Sequence, residues 1–208
     1  MNKVIGMVEA KDWMSTDVVC WFCTKQLSPR ALFCNHCGAI QPVRGVDHFA
    51  RLGLERRIDI DQTELERQFA VMQRTLDPDR FAIRSVNERI HAAKQLTSLI
   101  EAYEVLRDPV QRGRYWLSLH NKEFEEVQET IPLVQEMRKD FDKANSAPEV
   151  DRVAHRATLA LEDGIMRLMH SLRNQNWQSA NLTLLELDGM EDIIHDARQK
   201  RQQFAEKK

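Results

Sequence analysis

From residue 62 onwards, apolar positions recur at helical spacing. Leu65, Phe69, Met72 and Leu76 are spaced 4-3-4, the stripe of a helix that buries one face. Asp61 or Thr63 precedes it as an N-cap, at the end of the charged loop "ERRIDIDQT" (55–63). The stripe stops at "DPD" (77–79), because Pro78 cannot donate to a helical ladder and disfavours helix at Asp77. A second helix is predicted over roughly 84–107, with Ile90, Ala93, Leu96, Ile100, Tyr103 and Leu106 on its inner side and "RDP" (107–109) at its end. Two amphipathic helices joined by a short loop form an antiparallel hairpin. "TLDPDRF" (75–81) is then its exposed tip, and "VQRGRYWLSLHN" (110–121) continues as a shorter helix.

The polar run "KEFEEVQET" (122–130) reads as a hinge before three further helices. One covers about 131–145, with Val134, Met137, Phe141 and Ala144 on one side. "SAPEV" (146–150) separates it from a second, where Ala154, Ala157, Leu161, Ile165, Leu168 and Leu172 are spaced 3-4-4-3-4. After "RNQN" (173–176), the third starts at Trp177 and runs to about 205 through Ala180, Leu184, Leu187, Ile194 and Ala197. Gly189 falls inside it and should weaken it by ~1 kcal/mol. Short turns imply antiparallel neighbours, hence a three-helix bundle. No strand pattern occurs outside the cysteine-bearing segment.

Composition narrows the function. The chain of 208 residues is 42% hydrophobic and 30% charged, enough for a buried core in one large or two small domains. Its formal net charge of −2 argues against a strongly electrostatic grip on nucleic acid or anionic lipid. No stretch approaches the length of a membrane span, and the first residues lack both a signal-peptide apolar run and the arginines of a transit peptide. The expected location is cytoplasmic, in a bacterium, in preference to a mitochondrial matrix.

All four cysteines lie in "CWFCTKQLSPRALFCNHC" (20–37): Cys20 and Cys23, then ten residues, then Cys34 and Cys37. A two-residue gap lets a tight turn aim two thiolates at one point. Two such turns supply the S₄ tetrahedron that zinc prefers. The alternatives are two disulfides or one redox pair. Disulfides need an oxidising compartment, and a thioredoxin-like pair needs a βαβ unit that is absent here. Structural zinc is the reading adopted. His36 is a bystander, because four thiolates close the shell and leave no open position for catalysis. "QPVRGVD" (41–47) reads as a linker out of this module, with Pro29 at the hairpin tip.

"DHFARLGL" (47–54), the striped helix, the D-P-D-R-F loop, "SLIEAYEVLRDPVQRGRYWLSLH" (98–120) and a helical tail together resemble HscB, the J-domain co-chaperone of iron–sulfur cluster assembly. The resemblance covers about 45–208 and is densest over 47–120. The four-cysteine module, with its "CWFC", resembles the N-terminal zinc module of the mitochondrial members. The implied fold is mainly α. A tail (1–19) precedes a zinc hairpin (20–41), a J-domain-like helical hairpin (45–120) and a C-terminal antiparallel three-helix bundle (127–208). In that family the J-domain docks on a DnaK-type chaperone, HscA or its equivalent, and stimulates its ATPase. The tail bundle binds the scaffold IscU, and the co-chaperone itself catalyses nothing. Carried onto this chain, the chaperone contact would be Arg74, Asp77, Pro78, Asp79 and Arg80. The scaffold face would involve Ile131, Met137, Phe141, Glu186 and Leu187. Pro132 and Gln135 stand where apolar residues are expected.

The family's loop motif is His-Pro-Asp, and here Asp77 stands in the histidine's place. A carboxylate accepts where histidine can donate. Losing one interface hydrogen bond costs ~1–3 kcal/mol, roughly 5- to 150-fold. Two other readings follow. One is a decoy that keeps the scaffold-binding tail but no longer stimulates the chaperone. The other is a zinc-ribbon nucleic-acid binder with a helical dimerisation tail. On any of them the zinc module could also mediate protein contacts or self-association. Asp192 and His195 share i, i+3 spacing without the carboxylate-rich partner helices of a bundle metal site. No H-E-x-x-H, G-x-S-x-G, Walker or G-x-G-x-x-G motif occurs. The basic end "RQKRQQFAEKK" (198–208) suits a helix C-terminus.

Overall fold

The computed structural model describes residues 18–122 and 131–206. The predicted tail up to residue 17 and the core of the predicted hinge, 123–130, lie outside the described residues. The elements are β1 (Val18–Val19), β2 (Gln26–Leu27), α1 (His48–Arg51), α2 (Gln62–Thr75), a 3₁₀ turn (Pro78–Phe81), α3 (Val86–Arg107), α4 (Pro109–Leu119), α5 (Pro132–Lys143), α6 (Ala147–Arg173) and α7 (Trp177–Glu206). The fold is mainly α, as the pattern predicts.

The chain forms two compact units. The first takes the described chain through Arg56 together with Ile60–Glu104; the second takes Arg57–Asp59 and Val105–Lys208. In the first, α2 starts at Asp61, whose carboxylate accepts from the N–H of Thr63 (2.9 Å) and Glu64 (3.4 Å). Leu65 and Leu76 are buried, and Phe69 stacks on Tyr103 of α3 with ring centroids 4.0 Å apart. Met72 and Leu76 line one hollow with Leu99 and Gln95, so residue numbers fall along α3 as they rise along α2. The two helices are antiparallel.

The face of α3 matches the predicted one at Leu106, which is buried, and Tyr103, which stacks on Phe69, and differs elsewhere. Ala92, Gln95, Leu99, Ala102 and Leu106 are buried, whereas Ile90 is 45% and Ile100 40% exposed and Ala93 faces solvent. Both faces of α3 carry apolar side chains, so periodicity alone cannot choose between them. The choice is made by the cysteine module, which packs on the Gln95 side.

In the second unit, α4 packs with the tail helices. Val110 and Leu117 join Ile58, Leu168, Leu172 and Leu187 in one core. Arg173 anchors the 57–59 segment through a two-pronged pair with Asp59 (2.7 and 2.8 Å). Val153, Ala157, Met137, Met190 and Ile193 form the second layer between α5, α6 and α7. α6 runs antiparallel to α7: Arg167 meets Glu186, Ser171 meets Ser179 and Arg201 meets Asp151. "SAPEV" is not a separator beyond its first residue. Pro148 sits in the first turn of α6, where its missing N–H is harmless. The Glu149 carboxylate accepts from the N–H of Asn145 (2.7 Å) and Ser146 (3.2 Å). These donors hold it below the usual carboxylate range.

Gly189 and Gly164 set the helix spacing. A Cβ on Gly189 would lie 2.5 Å from Val134 Cγ1, and one on Gly164 would lie 2.7 Å from Leu187 Cδ2. Gly189 therefore admits Val134 of α5 where any side chain would collide. Gly189→Ala should gain ~1 kcal/mol of helix propensity and lose about 1–3 kcal/mol to overpacking. The expected net result is a lower urea midpoint for the far-UV circular dichroism signal. A raised midpoint would show that α5 is not held against this face.

Candidate metal centre and docking loop

The two C-x-x-C segments fold into matching turns. Cys20 N–H donates to the Lys25 carbonyl (2.9 Å) and Thr24 N–H to the Cys20 carbonyl (3.0 Å). In the second turn, Cys34 N–H donates to Ala39 O (2.9 Å) and Gly38 N–H to Cys34 O (2.8 Å). The residue after each second cysteine is left-handed, Thr24 at φ 59° and Gly38 at φ 75°. Short pairings close each turn, β1 with β2 and Phe33 with Ile40. Pro29 lies in the turn between them, where Ala31 N–H donates to Ser28 O (2.9 Å).

The four sulfurs lie within 4.8 Å of one another. Cys20 and Cys37 are 3.7 Å apart and Cys23 and Cys34 3.6 Å, too far for disulfides. A tetrahedral ion with thiolates at ~2.3 Å puts neighbouring sulfurs about 3.8 Å apart. The donor set and its spacing therefore fit a metal ion. Phe22 N–H donates to Cys20 Sγ at 3.4 Å, and the buried Gln41 side-chain amide reaches the same sulfur at 3.3 Å. Burial pushes the Cys20 thiol up, but the N–H groups of Cys23 and Phe22 and the Gln41 amide outweigh it and hold its pKa at about 6. The Cys34 thiol also moves down: burial raises it, and N–H donors from His36 and Cys37 prevail. Cys37 goes the other way. The Ala39 N–H favours its thiolate, but burial and three neighbouring sulfurs push it up to about 12. Four thiolates crowd together only around a cation.

Gln41 is not a passive linker residue. It is fully buried, and while its side chain touches Cys20, its carbonyl accepts from Gln95 Nε2 of α3 (3.0 Å). Trp21, inside the first pair, donates to the Ile40 carbonyl (2.7 Å) and sets its ring edge-on to His91, centroids 5.2 Å apart. Phe33 lies parallel to Phe81, the buried end of the 3₁₀ turn, at 6.5 Å. No spacing signal in the sequence marks the partners outside the module, since Gln41–Gln95, Trp21–His91 and Phe33–Phe81 each join residues more than 45 positions apart.

The loop itself is exposed at Asp77, Pro78, Asp79 and Arg80. Asp77 caps the 3₁₀ turn, its Oδ1 accepting from Asp79 N–H (3.0 Å). Arg74 Nε donates to Ala70 O (3.1 Å), and Arg80 Nη1 to Arg74 O (3.4 Å). Two guanidinium groups and two carboxylates thus share one tip. The scaffold-face candidates are dispersed. Met137 and Leu187 are buried in the bundle, and Glu186 is buried in a two-pronged pair with Arg167 (2.6 and 3.1 Å). Those three serve the fold, because a bundle needs an inner face. Ile131 and Phe141 remain partly exposed, Phe141 with the Lys200 ammonium 4.6 Å from its ring centroid.

No protein-family model matches the chain. Over 168 residues, 77% of its length, it is 29% identical to a protein of Arabidopsis thaliana named iron–sulfur cluster co-chaperone protein HscB homolog. That match spans 66% of the relative, just under two thirds of it. The crystal structure of human co-chaperone protein HscB superposes with a TM-score of 0.79, covering 88% of this chain and 98% of that one at 23% identity. Chaperone HscB from Vibrio cholerae gives 0.64 over 76% of this chain and 99% of its own, at 23% identity. Jac1 co-chaperone from Saccharomyces cerevisiae gives 0.55 over 69% and 86%, at 17%. In sequence the chain is similar to that HscB homolog, and it shares the fold of the solved HscB and Jac1 structures.

The left-handed Thr24 carries a strain that a glycine would not, about 1 kcal/mol. Thr24→Gly is expected to tighten metal binding roughly fivefold in competition with a chelating dye. Weaker binding would show that the Thr24 hydroxyl, which donates to the Cys23 carbonyl at 2.7 Å, matters more than the strain.

Proposed function

We propose that this chain is a non-enzymatic co-chaperone of iron–sulfur cluster assembly. It docks on a DnaK-type, HscA-like ATPase and presents an IscU-like scaffold to it. The observation that carries the reading is the exposed D-P-D tip between two antiparallel helices, in a chain similar in sequence to an HscB homolog and sharing the HscB fold. Asp79 offers a carboxylate to a cation on the chaperone, with Arg74 and Arg80 flanking it and Pro78 fixing the turn. The ion in the four-cysteine site is zinc, structural and closed, with Cys20, Cys23, Cys34 and Cys37 as its ligands. On the bundle, Ile131 and Phe141 are the apolar candidates for the scaffold. Cysteines that form no disulfide suit a reducing compartment such as the bacterial cytoplasm. Among the described residues no helix is long and apolar enough to cross a membrane.

Asp77 supports a second reading. Its Oδ1 caps the turn, and an ionised carboxylate can offer a partner only an acceptor where the family's histidine can donate. A chain that keeps the docking shape without that donor acts as a decoy on the chaperone. Single-turnover ATPase of the cognate DnaK-type chaperone separates the two. For a working co-chaperone, the native protein accelerates hydrolysis and Asp79→Asn abolishes the effect. Stimulation appearing only in Asp77→His identifies a decoy. No stimulation by either protein, with no binding, removes both.

A further inference from the structure

The cysteine module touches the docking loop as well as α3, at three separate places. Phe33, three residues after Arg30 and one before Cys34, lies parallel to Phe81 with interplanar angle 4°. Phe81 is the buried end of the turn whose exposed start is Pro78. Trp21, next to Cys20, packs on His91 in the second turn of α3 and is pinned by its bond to the Ile40 carbonyl. Gln41 bonds Cys20 Sγ with its side chain and Gln95 of α3 with its carbonyl, while Arg51 donates to the Gln95 Oε1 (3.4 Å). Three of these anchors, Trp21, Phe33 and Gln41, sit on segments whose backbone path is dictated by the cysteine turns. Those segments have almost no regular structure of their own, only two strands of two residues.

We propose that metal occupancy of the four-cysteine site sets the conformation of the D-P-D loop, with Phe33, Trp21 and Gln41 as positioning residues. With the ion bound, the two turns are held together and Phe33 buttresses Phe81, so the 3₁₀ turn keeps its shape. Without it, the two turns lose the link that joins them, and hairpins this short cannot persist alone. Phe81 then loses its ring partner, and the loop opens more often. That the loop so controlled is a chaperone-docking tip rests on the reading above; the coupling itself does not need a partner to be observed.

The test is amide hydrogen exchange followed by mass spectrometry on the full chain, zinc-loaded and after chelation, with metal content verified. Chelation is expected to speed exchange over 79–84 and 91–95 by at least about tenfold and to leave α6 and α7 unchanged. Phe33→Ala is expected to keep one zinc per chain yet speed exchange over 79–84 by about three- to tenfold. Metal-free protein with unchanged exchange over 79–84 would overturn the coupling, as would Phe33→Ala that retains zinc and leaves the loop unaffected. If Phe33→Ala loses its zinc, the chelated wild type alone decides between the two results. A chaperone that ignores the protein entirely would leave these exchange rates where they are, so the two claims fail separately.

Discussion

In the first unit, one face of α3 sets the register of everything else. Ala92, Gln95 and Leu99 receive the cysteine module on one flank and α2 on the other. Gln95 ties this face to two further segments: its amide holds the Gln41 carbonyl, and its oxygen receives Arg51 of α1. A buried glutamine with both ends satisfied fixes orientation, whereas apolar contacts alone would tolerate sliding. Once that face is committed, the opposite stripe of Ile90, Ala93 and Ile100 is left to solvent. The position of the D-P-D tip follows, because α2, α3 and Phe33 between them leave Phe81 one place to go.

Asp77 shows how a local rule and a functional role compete for one side chain. As an N-cap it is a good choice, accepting the Asp79 N–H and shaping the turn. As a replacement for histidine it removes a donor from the outward surface. The carboxylate meets the first demand through Oδ1 and cannot meet the second, since an ionised carboxylate has no proton to donate. The tip is therefore well built as a turn, whatever its outward face meets.

Much of the fold was legible because it depends on local pattern. The α2 stripe, the Asp61 cap, the paired C-x-x-C turns and the bundle helices are each written within one or two turns of chain. What was not legible depends on contacts between distant segments. The face of α3 was ambiguous because Val86, Ile90 and Ile100 are as apolar as the residues that are buried. Gly189 reads as a weak point in isolation, yet it is the place where Val134 enters. "SAPEV" looks like a break unless the Ser-x-x-Glu capping pattern is given precedence over the proline. At the candidate sites the four cysteines carry their own spacing signal. Met137, Glu186 and Leu187 could not be told apart from core residues, because a bundle's inner face and a docking face use the same residue types.

The most direct measurement is an NMR titration of the isotope-labelled, zinc-loaded chain with the nucleotide-bound DnaK-type chaperone, read amide by amide. Selective broadening over 74–81, with the buried amides of α6 and α7 unaffected, is the result expected if the D-P-D tip is where the chaperone is met. Binding that leaves 74–81 unperturbed, or no binding at concentrations where HscB co-chaperones bind, would contradict it.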